Sequence, residues 1–88
     1  MPSVRVILPA ALTTPDPALL LECDADSVGE ALRSAAAQAP HYAQRLFFND
    51  RLVVSVILNG RHLAPTAALA TTLSAGDHLE VIPPVAGG

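Results

Sequence analysis

Residues Ser27 to Pro40 delimit one short helix, and everything else in the chain has to be arranged around it. Ser27-Val28-Gly29-Glu30 has the spacing of a capping box, in which the Ser27 hydroxyl accepts from the Glu30 amide and the Glu30 carboxylate reaches back. Asp24 and Asp26 add negative charge where the helix dipole is positive. Val28, Ala31, Leu32, Ala35 and Ala39 fall on one face, and Pro40 stops the run after about three turns. The small residues on that face allow the helix to lie close against a sheet.

Strand signals flank it on both sides. Ser3 to Pro9 alternates, with Val4, Val6 and Leu8 on one face and Arg5 on the other. A loop carrying Pro9, Pro15 and Pro17 follows, and Ala18 to Cys23 reads as a second strand, hairpin-paired with the first. Beyond the helix, His41 to Leu52 is an irregular connection with an Asn49-Asp50 turn pair. Val53 to Leu58 is the strongest strand, Asn59-Gly60 is a favoured hairpin turn, and Arg61 to Leu63 is a short return strand. Ala67 to Leu73 suggests a helical turn, with Leu69 and Leu73 able to share a face. Gly76-Asp77 turns the chain into a last strand, His78 to Ile82. Strands wrapped around one helix predict an α+β domain with a mixed sheet. Joining the first hairpin to the last strand through that helix gives a β-grasp (ubiquitin-like) arrangement, although the order alone admits other small α+β folds. The division is a folded domain over residues 1–82 and a tail over residues 83–88.

A chain of 88 residues is one domain with a thin margin of stability. Only Tyr42, Phe47 and Phe48 are aromatic, so the core is aliphatic. A net charge of −3, with five basic residues against eight acids, argues against nucleic acid as partner. All the basic residues are arginine. The lack of lysine is explained by compositional bias, and it is compatible with a chain that offers no side-chain amine on which to conjugate itself. Cys23 is alone, which rules out an internal disulfide and any multi-thiol metal site. No apolar run approaches a membrane span and no signal-peptide plan opens the chain, so a soluble, cytoplasmic protein without a membrane partner is expected.

No active site built of side chains can be assembled from these residues. His41, His62 and His78 lack ligand-like spacing, no serine occupies a nucleophile elbow, and no glycine-rich loop opens the helix. The Asp24 and Asp26 pair is accounted for by helix-start electrostatics. Cys23, in phase with Leu19 and Leu21, is expected to be an inert core thiol. The unusual feature is the ending Pro83-Pro84-Val85-Ala86-Gly87-Gly88. The two prolines hold the segment extended, and a terminal pair of glycines gains the fold no stability. A stiff root and a slim tip suit insertion into a narrow channel, where the Gly88 carboxylate would meet a partner's active site. As a mixed anhydride with AMP that carboxylate becomes an electrophile. A sulfur nucleophile would convert it to a thiocarboxylate, and an amine to an amide.

The run from Gly76 through Gly88 resembles the C-terminus of bacterial ubiquitin-like sulfur carriers: the molybdopterin synthase small subunit, the thiamine-pathway carrier and the carriers of cysteine synthesis. Agreement extends upstream through Val56-Ile57-Leu58-Asn59-Gly60, the capped helix and the first strand. The stretch Leu58 to Asp77 is longer than in typical molybdopterin synthase small subunits, and Leu69 to Asp77 looks more like the cysteine-pathway carriers. Pro83-Pro84 is more like the molybdopterin branch, so the pathway stays open.

The resemblance implies a non-enzymatic co-substrate that binds no cofactor of its own. A ubiquitin-activating-type adenylating enzyme would consume ATP at Gly88, a sulfur donor protein would form the thiocarboxylate, and a downstream synthase would accept the sulfur. It also implies docking through an apolar sheet surface beside the tail. The candidates are Leu58, Leu79 and Val81, with Pro83, Pro84, Val85 and Ala86 in the tail and Arg61 near the hairpin turn; period-2 alternation requires some of the strand residues to be core instead. A ubiquitin-like modifier joined to lysines shares the chemistry as far as the adenylate. A plain interaction domain would leave the Gly-Gly tip without a purpose.

Overall fold

The alternating stretches do become strands, and the helix lies across them as its small-residue face allows. The computed structural model describes residues 1–13, 16–49, 51–64 and 67–83. In chain order the elements are β1 (Ser3–Leu8), α1 (Ala10–Thr13), β2 (Leu19–Asp24), α2 (Val28–Gln38), a 3-10 turn (Pro40–Tyr42), α3 (Ala43–Leu46), β3 (Phe47–Phe48) and β4 (Arg51–Leu52). They continue with β5 (Ser55–Leu58), β6 (Arg61–His62), a second 3-10 turn (Ala68–Ala70) and β7 (His78–Ile82). The main sheet runs β2-β1-β7-β5-β6, with β1 and β7 parallel and the other pairs antiparallel. A mixed five-stranded sheet folded over α2, with first and last strands side by side at its centre, is the β-grasp arrangement.

Val28, Ala31, Leu32 and Ala35 of α2 are buried against Val4, Val6, Leu8, Val56, Leu79 and Val81. The capping box closes with one change of partner. Ser27 Oγ accepts from the Glu30 amide at 3.3 Å, while the Glu30 carboxylate accepts from the Asp26 amide at 3.1 Å, one residue further back than the usual capping box. The segment after the second 3-10 turn reinforces this end: Val28 N donates to Thr71 O, and Leu73 N donates to Asp26 O. Gly29 lets the two segments approach closely, because a Cβ at this position would stand 3.0 Å from the Leu69 carbonyl oxygen.

Four local expectations change. The proline-bearing loop after β1 contains α1, and buried Thr13 sits with Oγ1 3.0–3.3 Å from the carbonyls of Pro9, Asp16 and Pro17, donating to one at a time. The irregular connection contains α3 and the small β3–β4 hairpin, where Asn49 takes a positive φ of 51°. It is tied down by tertiary bonds, with the Tyr42 hydroxyl donating to the Asp16 carboxylate and Arg45 donating to the Leu12 carbonyl. The strong strand starts at Ser55 rather than Val53, because the Val53 amide donates to Leu46 O at 2.9 Å instead of joining the sheet. Leu69 and Leu73 do not share a helical turn, which ends at Ala70; Leu73 joins the core and Leu69 packs against it at Gly29.

Candidate functional site

β7 is the central strand and leads directly into Pro83, so its two faces decide what surrounds the root of the tail. Alternation sends Leu79 and Val81 inward, both 0% exposed, and His78, Glu80 and Ile82 outward. Leu58 on β5 is likewise core at 7% exposure. These three positions are therefore structural, and the expectation that their side chains form a docking surface is corrected. Arg61 is exposed, yet it pairs with Leu58 at the sheet's edge and lies on the helix side, away from the open face.

The open face is built from the opposite phase of the same strands. Leu20 pairs with Ile7, Ile7 with Glu80, Glu80 with Ile57 and Ile57 with His62. This row crosses all five strands, a span of about 19 Å at the usual strand spacing. Leu20 is 60% exposed and Ile82, beside the tail root, 37%, while Ile7 and Ile57 are half-buried. Sequence reading passed over these residues, although a signal was present. Glu22, Ser55 and Glu80 are polar positions inside apolar runs, and each fixes the outward phase of its strand.

The opposite end of the face is polar and braced. Arg5, Glu22 and His78 line a cleft of about 370 Å³ together with Ser3, Ala75 and Gly76. Asn59 and Gly60 both take positive φ, 51° and 84°, as the two-residue turn between β5 and β6 requires. The Asn59 side chain then crosses to the turn before β7: Nδ2 donates to Asp77 Oδ1 at 2.9 Å, and Oδ1 accepts from the His78 amide at 2.8 Å. The Ser74 amide donates to Asp77 Oδ2 at 2.7 Å. These bonds, the Ser74 amide's first, hold the Asp77 carboxyl below its ordinary acidity range. They fix where β7 begins, and hence where its other end delivers the tail.

Cys23 is buried in the core beside Gln38, whose Nε2 stands 3.5 Å from the thiol sulfur. Among the described residues, no group of three His, Cys, Asp or Glu side chains converges, and no helix is long and apolar enough to cross a membrane. Pro83 is half-buried where the sheet ends. The remaining tail positions, Pro84, Val85, Ala86, Gly87 and Gly88, lie outside the described residues.

The ThiS family model matches residues 6–88, from β1 to the last glycine. The chain belongs to the ThiS family. Its likeness to the ubiquitin-like sulfur carriers, seen first in the Gly-Gly ending, thus spans the whole fold. Small archaeal modifier protein 3 of Haloferax volcanii is 40% identical to this ThiS-family chain over 67 residues, 74% of this chain and 73% of that one. The crystal structure of SAMP1 from Haloferax volcanii is 30% identical, with a TM-score of 0.71 over 98% of this chain and 99% of that one. The solution structure of small archaeal modifier protein 1 from Methanosarcina acetivorans is 26% identical, with a TM-score of 0.79 over 100% of this chain and 98% of that one. These relatives are named as modifiers.

Proposed function

We propose that this chain is a protein co-substrate whose Gly88 carboxylate is activated as an acyl-adenylate and converted to a thiocarboxylate that donates sulfur in biosynthesis. The observation that carries the reading is the family match running through residue 88, on a fold whose central strand feeds straight into the tail. In the first step a carboxylate oxygen attacks the α-phosphorus of ATP and pyrophosphate leaves. In the second, a sulfur nucleophile at the sulfide oxidation level attacks the carbonyl carbon and AMP leaves. The chain brings no acid or base to either step; the adenylating enzyme, the sulfur donor and the accepting synthase supply those groups. Its own contribution is positional, with Pro83 and Pro84 stiffening the root, Val85 and Ala86 lining the channel wall, and Gly87 and Gly88 admitted by their lack of side chains. The exposed Ile82 and the row containing Ile7 and Ile57 form the apolar surface on which a partner would seat.

The destination of the sulfur is cysteine or a related product, with molybdopterin as the other branch that the tail sequence supports. The identity to small archaeal modifier protein 3 favours a second reading, in which a lysine amine of another protein takes the place of the sulfur nucleophile. The test is ATP–pyrophosphate exchange by a purified adenylating enzyme of the ubiquitin-activating type from the same organism. The full chain should support exchange, and a chain lacking Gly88 should not while keeping its circular dichroism. Undiminished exchange by the shortened chain would refute the role given to the tip.

A further inference from the structure

Glu80 occupies an odd place for a charged side chain. It is on the central strand of the sheet, in the middle of the open row, flanked by Ile7 on β1 and Ile57 on β5, with Leu20 beyond Ile7. The next outward position along its own strand toward the tail is the exposed Ile82. The carboxylate thus has apolar neighbours on both adjacent strands and toward the tail, while the row ends in His62 beyond Ile57 and the polar row of Arg5, Glu22 and His78 borders it on the other side. Within the described part of the chain nothing neutralises it: its side chain makes no hydrogen bond or ion pair there. The arginine on this face, Arg5, belongs to the next row, paired with Glu22 and His78.

If this patch is covered when the tail is handed to a partner, the Glu80 carboxylate leaves water at the centre of the contact. A buried, unpaired carboxylate opposes docking strongly, whereas one met by a hydrogen-bonded cation does not. Edge protection does not explain the charge, because β7 is a central strand with both edges paired. We propose that Glu80 is the specificity-determining residue of the docking face, and that the adenylating enzyme presents an arginine or lysine centred in an apolar surface to receive it. Arginine is the better fit, since its planar guanidinium can take both carboxylate oxygens. The same carboxylate would reject carrier-handling enzymes whose surface at that point is apolar or acidic. This inference rests on the docking geometry proposed above and names the chemistry of the surface that docks.

The experiment is the same exchange reaction, run with the full chain and with Glu80→Asp, Glu80→Gln and Glu80→Arg over a range of carrier concentrations and two ionic strengths. Glu80→Gln should raise the KM for the carrier about thirtyfold or more, the lower end for truncating one member of a buried charge pair. It should leave kcat at saturation within about twofold, because the lost contact serves binding and not the chemical step. Glu80→Arg should raise KM further, and Glu80→Asp should stay within a few fold of the parent. The parent's KM should climb with salt more steeply than that of Glu80→Gln. Equal KM values and equal salt dependence for the parent and Glu80→Gln would overturn this inference alone. A parent chain that no such enzyme activates would overturn the proposed function, and this inference with it.

Discussion

Leu79→Ala separates the core role of β7 from its surface role. Leu79 is fully buried on the strand between β1 and β5, and its side chain faces α2. Removing it deletes buried methyl and methylene groups from a close-packed aliphatic layer and leaves a cavity that flanking strands cannot collapse to fill. Such truncations cost about 2–5 kcal/mol, and a central sheet position belongs in the upper half of that range. For a domain of this size that corresponds to a fall in Tm of roughly 14–40 °C, a large part of the available stability. Ile82→Ala, on the same strand but 37% exposed, should cost no more than about 1.5 kcal/mol. Urea denaturation followed by far-ultraviolet circular dichroism measures both variants. If Leu79→Ala shifted stability by less than 1 kcal/mol, or if Ile82→Ala cost more than Leu79→Ala, the assignment of inward and outward faces would be wrong.

Three further outcomes follow from particular contacts. Gly29→Ala should fail to give the gain of about 1 kcal/mol that alanine usually brings to a helix, because its Cβ would press on the Leu69 carbonyl. Gly29→Val should destabilise by about 1–3 kcal/mol in the same denaturation assay. Asp77→Asn should lower stability at neutral pH by about 1 kcal/mol. The folded Asp77 carboxyl is held below its ordinary value of 3.8, so its stabilising contribution is complete above that value and lost as the pH falls through the folded one. The gap between Asp77→Asn and the parent should accordingly close on acidification, and a gap constant with pH would refute the bracing role. Gly87→Trp should leave Tm unchanged within about 1 °C, because a glycine next to a chain end has no side chain to give to a core, while abolishing ATP–pyrophosphate exchange; normal exchange would contradict the narrow-channel requirement.

The parts of the fold that were legible from the chain alone are those with local causes. Ser27 and Glu30 mark the start of α2, Pro40 its end, and Asn59-Gly60 a two-residue turn, each by its own covalent chemistry. The short pieces were not legible, because their bonds come from far along the chain. α1 and α3 are joined by Arg45 on the Leu12 carbonyl, and the segments beside them by Tyr42 on Asp16, pairs separated by 33 and 26 residues. The site divides in the same way. The tail stands out by composition, whereas the resemblance points to Leu58, Leu79 and Val81 for docking, and these are core. Apolar residues in strands are the usual signature of core, and the outward members of this face are visible only once Glu22, Ser55 and Glu80 set the phase. An open face that mixes apolar and polar side chains looks, in sequence, like an imperfect strand.

The central claim is that sulfur replaces oxygen at the last residue. The direct test is the intact mass of the full chain purified from its native host under conditions that preserve thioacids. A species about 16 Da heavier, localised to Gly88 by fragmentation and captured by a thioacid-selective azide, is the expected result, with the localisation separating it from oxidation at Met1 or Cys23. A chain whose Gly88 is found only in amide linkage to lysines of other proteins, with no thioacid under sulfur-replete growth, would contradict the carrier reading and leave the modifier reading in its place.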